Sequence, residues 1–175
     1  MPKIIVGVRE SILENTKRQL FEEGYANISL RKIANNCHIA VGTIYNYFPD
    51  KETILANILL EDWLLLLEDI DQTCHTSHSL IDGIFYVYKA IESYSLKYQK
   101  LFEEASGPMQ MIQTRHKLLI QQLVQKLEIL FSTLSKDTHG LLNVLAECIL
   151  TCAIQESITD DEFKALLYQL FRKEG

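Results

Sequence analysis

The stretch SLRKIANNCHIAVGTIYNYFPDK, Ser29 to Lys51, decides the fold. Leu30, Ile33 and Ala34 recur at helical spacing and give a short first helix one apolar face. Ser29 stands where an N-cap belongs, its hydroxyl free to accept a first-turn N–H. Asn35-Asn36-Cys37-His38 interrupts the pattern, and Ile39 offers an apolar plug between two helices. A second short helix starts near Ala40. It buries Ile44 and Phe48 and leaves Val41, Thr43, Asn46 and Tyr47 on other faces. Pro49 pushes the residue before it out of the helical region and so ends that helix. Asp50 then caps a long third helix, with Glu52 in its favourable first turn. Two helices at a steep angle, the second short and polar outside, form a helix-turn-helix.

Upstream, Ile5, Val8, Ile12, Leu13, Thr16, Leu20 and Phe21 mark one face of a helix that ends near Glu23, where Gly24 is a natural terminator. This helix packs across the helix-turn-helix and completes a three-helix domain. Arg9, Lys17 and Arg18 fall off its core face. They are read first as solvated charges, with Lys17 or Arg18 as phosphate neighbours in second place. Tyr25-Ala26-Asn27-Ile28 is a connector that wedges Tyr25 and Ile28 into the small core.

Downstream every segment is helical, and the fold class is all-α. A long helix runs from Asp50 toward Thr73 on Ile54, Leu55, Ile58, Leu59 and Trp63 to Leu67. Ser79 and Asp82 open the next one, rich in Phe85, Tyr86, Tyr88, Tyr94, Tyr98 and Phe102, and Ser106-Gly107-Pro108 ends it. An aromatic stripe is read as core first and as pocket wall second, where a phenol keeps its use as a hydrogen-bond handle. Further helices run from about Gln110 to Leu134, with Leu118 and Leu123 on the apolar face, and, after a turn at Lys136-Asp137-Thr138, from His139 to Gln155. The last opens on a second capping box, Thr159 with Glu162, and carries Phe163, Leu166, Leu167, Leu170 and Phe171.

Composition narrows the function. The chain has 175 residues and a formal net charge of −6. Met1 to Glu52 carries seven Lys/Arg against six Asp/Glu, and the remainder ten against seventeen. The acidity therefore lies outside the helix-turn-helix. A head this weakly basic binds phosphate poorly alone, so a two-fold dimer on a palindrome is expected. No apolar run reaches a membrane span and no secretory leader is seen; a cytoplasmic protein is expected. Cys37, Cys74, Cys148 and Cys152 lack the spacing of a disulfide framework or a zinc site, and Cys148 and Cys152 are read as small buried hydrophobes. Cys74, His75 and His78 are read as a polar loop rather than metal ligands. No catalytic pairing and no phosphate-binding glycine loop appears, so no enzyme, cofactor or metal is expected.

The sequence GTIYNYFPDKETIL, preceded by SLRKIA, resembles the DNA-binding signature of TetR-type transcriptional repressors. Gly42, Thr43, Ile44, Tyr45, Tyr47, Phe48, Lys51 and Glu52 fall in register over roughly the first third of the chain. His38 departs where a glycine is common, although histidine tolerates positive φ. Ala40 departs where a serine or threonine caps the recognition helix, and that capping role is not carried over. The resemblance implies an N-terminal, homeodomain-like helix-turn-helix domain over 1–52 and a helical regulatory and dimerisation domain over 53–175. DNA contacts are then expected from Ser29, Arg31, Lys32, Val41, Gly42, Thr43, Tyr45, Asn46, Tyr47 and Lys51. In a major groove about 12 Å wide, Thr43 and Asn46 suit base edges, and Tyr45, Tyr47 and Lys51 suit phosphate. Trp63, Tyr86, Tyr88, Tyr94 and Met109 are candidates to line an effector pocket. The helices over 139–173 are expected to make a homodimer. The implied function is a repressor released from a palindromic operator on double-stranded DNA by an unknown small molecule. The alternative is a DNA-bound organiser or division factor of the same fold, acting through a protein partner without an inducer.

Overall fold

The computed structural model describes residues 7–104, 106–132, 139–155 and 157–171. Among these residues are eight α-helices and no strand: α1 Val8–Glu23, α2 Leu30–Asn36, α3 Val41–Tyr47, α4 Lys51–Thr76, α5 Leu80–Glu104, α6 Ser106–Phe131, α7 His139–Gln155 and α8 Asp160–Phe171. The chain divides into two compact units. The first holds residues 1–62 and 98–114, the second 63–97 and 115–175. The division falls on α4 after Asp62, further along the chain than Glu52.

Local chemistry sets each helix end in the first unit. Gly24 adopts φ 83° and its N–H bonds Leu20 O, closing α1. A 3-10 turn over Tyr25–Asn27 leads to Ser29, whose extended backbone and hydroxyl cap α2 at Lys32 N. His38 takes the left-handed conformation at φ 54°, so the turn keeps its shape without the glycine. Ala40 caps α3 with no side-chain bond. Phe48, before Pro49, sits extended at φ −138°. Asp50 Oδ1 accepts both Thr53 N (2.7 Å) and Thr53 Oγ1 (2.6 Å), and these bonds hold its carboxyl below the usual aspartate range.

The core of this unit is Ile12, Leu13, Leu20, Ile33, Ala34, Ile44, Phe48, Ile54, Leu55, Ile58 and Leu59, joined by Tyr98 and Leu101 from α5. Ile28 is buried, whereas Tyr25 stays half-buried. Phe21 is about half exposed and meets the Tyr98 ring at 5.7 Å, so it is a rim residue rather than core. Ile5 lies outside the described residues. Arg9 and Lys17 are not simply solvated. Arg9 donates to Glu61 and Asn57 at 2.8 Å each, and Lys17 Nζ lies 2.5 Å from the buried Asp62. Asp62 Oδ2 also accepts Tyr98 OH at 2.6 Å.

The second unit packs Trp63, Leu67, Ile70, Ile84, Val87, Tyr88, Ile91, Leu123, Leu127, Leu142, Ala146, Ile149, Phe163 and Leu167 into one core. Ser79 Oγ caps α5 at Asp82 N. Thr159 and Glu162 bond reciprocally, Thr159 N to Glu162 Oε2 at 2.9 Å and Glu162 N to Thr159 Oγ1 at 3.3 Å, a full capping box on α8. Four expectations fail here. Cys74 and His75, read as part of a polar loop, lie within α4, and Cys74 is buried. Ser106-Gly107-Pro108 opens α6 instead of ending α5, since proline is tolerated in a first turn. Leu118 is about half exposed. Cys148 is exposed rather than buried, on the face of α7 that it shares with the exposed Leu141 and Val144. The turn expected at Lys136-Asp137-Thr138 lies outside the described residues.

Candidate nucleic-acid interface

α2 and α3 meet at the turn 37–40, where Ile39 N–H bonds Ala34 O at 3.0 Å. Ile33 and Ile44 are both fully buried and hold α2 and α3 in the core of the first unit. With Ile44 and Phe48 turned inward, the opposite side of α3 is left outward. Gly42, Tyr45 and Asn46 are exposed there, one helical turn apart, and Tyr45 keeps 53 % of its surface. Val41, Thr43 and Tyr47 flank them, half-buried. A Cβ added at Gly42 meets nothing within 4 Å. The head's own packing therefore gives no reason for a glycine, which weakens a helix interior.

The cations around this face differ in their ties. Arg31 is exposed and makes no ion pair among the described residues. Lys32 pairs with Glu23. Lys51 Nζ lies 3.9 Å above the Tyr25 ring and 3.4 Å from Tyr25 O. The Tyr25 hydroxyl bonds Glu52 Oε1 at 3.3 Å; partial burial and then Glu52 push its phenol above the ordinary value. Ser29 is held from behind, its N–H donating to Gln19 Oε1 at 3.0 Å. The ten residues read from the sequence as DNA contacts thus lie on α2, α3 and the starts of α2 and α4. Glu23, Tyr25 and Glu52, which hold or face two of the lysines, were not among them. Their signal was faint: two carboxylates closing α1, with no basic residue in its last turn.

Of the residues read as an effector pocket, Trp63 and Tyr88 belong to the core of the second unit, and Tyr86 and Tyr94 pack against it. Trp63 Nε1 donates to Gln122 Oε1 at 2.9 Å and its ring meets the edge of Tyr94 at 5.5 Å. Tyr86 bonds Asp69 instead. Tyr88 is fully buried and stacks on Phe163 at 4.2 Å, as core. The side chain of Met109 lies outside the described residues. No cluster of three or more His, Cys, Asp or Glu able to hold a metal occurs among the described residues. Burial raises the Cys74 thiol to about 11, which suits a structural cysteine. Among the described residues no helix is long and apolar enough to cross a membrane.

Comparison with known proteins points the same way. Residues 12–58 match the family described as bacterial regulatory proteins, tetR family. The transcriptional regulator YuxN of Bacillus subtilis is 38% identical over 52 residues, 29% of this chain and 18% of that protein. UidR of Escherichia coli K12, also a transcriptional regulator, is 31% identical over 80 residues, 45% of this chain and 37% of that protein. The alignments therefore span well under half of these curated relatives. A transcriptional regulator from Saccharomonospora viridis, solved with choline, superimposes with a TM-score of 0.61 at 16% identity, covering 97% of this chain and 98% of that one. The fold of the whole length is thus one found in transcriptional regulators.

Proposed function

We propose that this chain, whose residues 12–58 belong to the tetR family of bacterial regulatory proteins, is a sequence-specific DNA-binding transcriptional regulator, a repressor that a small molecule releases from its operator. The observation that carries the reading is the outward side of α3. Gly42 faces open space there between the exposed Tyr45 and Asn46, and such a gap lets a duplex backbone approach the helix. Thr43 and Asn46 then face base edges. Tyr45, Tyr47, Arg31 and Lys51 take phosphate, Lys32 stands beside them on Glu23, and Ser29 and Val41 border the contact.

Gly42→Ala separates the two roles of the helix. Thermal or urea unfolding should show a gain of about 0.5–1 kcal/mol, because alanine is the better helix former. Binding to the DNA upstream of the coding region should weaken about tenfold, the scale of one lost specific contact. Tighter or unchanged binding would remove the outward side of α3 from the interface.

The same reading calls for two heads on a palindrome. Its support is the face that α7 and α8 leave uncovered: Leu141, Val144 and Cys148 on one, Leu166 and Leu170 on the other. A second copy of the chain covers it. Val144, 61 % exposed, sits within that face. Val144→Asp should raise the dimer dissociation constant tenfold or more, about 1.4 kcal/mol, by sedimentation. A variant that dimerises as the natural chain does would move the interface elsewhere.

For the effector, the relative solved with choline favours a ligand-responsive regulator over an inducer-free organiser. The ligand acts by preferring one of two head spacings. Trp63, Gln122 and Tyr94 offer it an aromatic wall with an amide. An aromatic-lined site with few polar groups suits a small apolar or quaternary ammonium molecule. The relatives are regulators and not enzymes by description, and a cytoplasmic location fits this role.

A further inference from the structure

We propose that Glu23 is a counter-charge that sets how strongly the head grips DNA phosphate, by holding Lys32 in reserve; the inference rests on the DNA-binding reading above. α1 ends on Glu22-Glu23 with no basic residue in its last turn. Carboxylates at a helix C-terminus face the negative end of the helix dipole, so this placement works against α1. The return in stability is small. The Glu23–Lys32 pair is open to solvent, with 52% of the Lys32 side chain and 30% of the Glu23 side chain exposed, and such pairs contribute little to folding. A residue that breaks a local rule without a folding benefit marks a functional site.

The position explains the benefit. In a helix-turn-helix the first helix crosses the DNA backbone, and here that helix is α2, which carries Arg31 and Lys32. Arg31 is already exposed without an ion pair among the described residues. Lys32 reaches a phosphate only by leaving Glu23. Once it does, the Glu23 carboxylate is left beside the phosphates without its partner. Both effects oppose binding. Over residues 1–52 the cations exceed the acids by a single charge, so one carboxylate at this edge is a large share of the head's electrostatics. Glu52 and Tyr25 stand toward Lys51 in a similar way, at lower charge density.

The test measures binding of the full-length chain to a short mixed-sequence duplex and to the fragment upstream of its coding region, over a salt series. Glu23→Gln should bind the mixed duplex about three- to fivefold more tightly near 0.1 M salt, the range of one released surface ion pair. Its log–log salt slope should steepen by about one, for one further phosphate neutralised. Glu22→Gln makes the same change in formal charge and should do less than half as much. In a Lys32→Gln background, Glu23→Gln should gain less than half as much, because only the repulsion between the carboxylate and phosphate is left to relieve, and the difference is the coupling between these two side chains. Equal gains at Glu22 and Glu23, an undiminished gain in the Lys32→Gln background, or no gain would each overturn the proposal. If the natural chain and every variant bind neither duplex, the DNA-binding reading itself fails, and this inference goes with it.

Discussion

Phe163→Ala should lower the unfolding free energy by about 3–5 kcal/mol, the range for emptying a buried aromatic site. Phe163 is 1% exposed and stacks on the Tyr88 ring at 4.2 Å with 27° between planes. Tyr88 is itself pinned, its hydroxyl bonding Glu92 Oε1 at 3.1 Å and Ile158 O at 3.3 Å. Burial, then Glu92, pushes its phenol up to about 12, so it stays a neutral donor across the working pH range. The void left by Phe163 therefore has one rigid wall, and rigid walls collapse poorly. The other ties of α8 are weaker. The Thr159–Glu162 box contributes about 1 kcal/mol, and the Lys89–Asp160 pair at 3.0 Å is solvent-exposed. With Phe163 gone, Leu167 and the Phe171–Phe131 edge contact at 5.6 Å are the apolar anchors that remain to α8 among the described residues. α8 should then open locally, and amide exchange of residues 160–171 should quicken more than that of α5. Phe163→Leu, which keeps most of the volume, should cost less than about 1.5 kcal/mol. A loss near 1 kcal/mol for the alanine variant, without faster exchange in α8, would show that Phe163 does not anchor it.

That anchor was half visible in the sequence. Phe163, Leu166, Leu167, Leu170 and Phe171 read as the apolar side of one helix, of which Leu166 and Leu170 are exposed, and the box before them fixed where the helix begins. Tyr88 as the partner ring was not visible, because periodicity tells which side of a helix turns inward but not what it meets. The head was legible for a different reason. Its ends are set by residues acting within three or four positions of themselves: Ser29 on Lys32, Asp50 on Thr53, Gly24 on Leu20, Pro49 on Phe48. His38 at φ 54° belongs to the same class, since tolerance of that conformation is a property of the residue. What depended on distant partners was read less well. Arg9 and Lys17 looked solvated, yet their partners Glu61 and Asp62 lie on α4. Cys148 looked like core because its neighbours are apolar, and the uncovered side of α7 has no signature distinct from a buried one. Glu23 was passed over because a carboxylate near a DNA-binding surface reads as noise until its lysine is seen beside it.

Asp62→Ala should destabilise the first unit by about 2–4 kcal/mol in urea unfolding, with the midpoint falling and the slope unchanged. Asp62 is a charged residue of which only 9% is exposed. Its two oxygens serve different partners: Oδ1 takes the Lys17 ammonium at 2.5 Å and Oδ2 the Tyr98 hydroxyl at 2.6 Å. Removing the carboxylate costs the Tyr98 hydroxyl, on a side chain 1% exposed, its charged acceptor. Lys17 is less affected, because 36% of its side chain already reaches water and the ammonium can turn outward. That asymmetry keeps the expected loss below that of a fully buried pair. Two companion variants test the account. Tyr98→Phe should cost only about 1 kcal/mol, since donor and acceptor are not both stranded. The triple change Lys17→Met, Asp62→Leu, Tyr98→Phe should return stability to within about 1 kcal/mol of the natural chain, because an apolar set of similar volume replaces a desolvated charge network at little net cost. If Asp62→Ala were as stable as the natural chain, the network would hold no part of the fold. If the triple variant were the least stable of all, the polar contacts would contribute more than their desolvation costs, and the ranking of charge against burial at this site would have to be reversed.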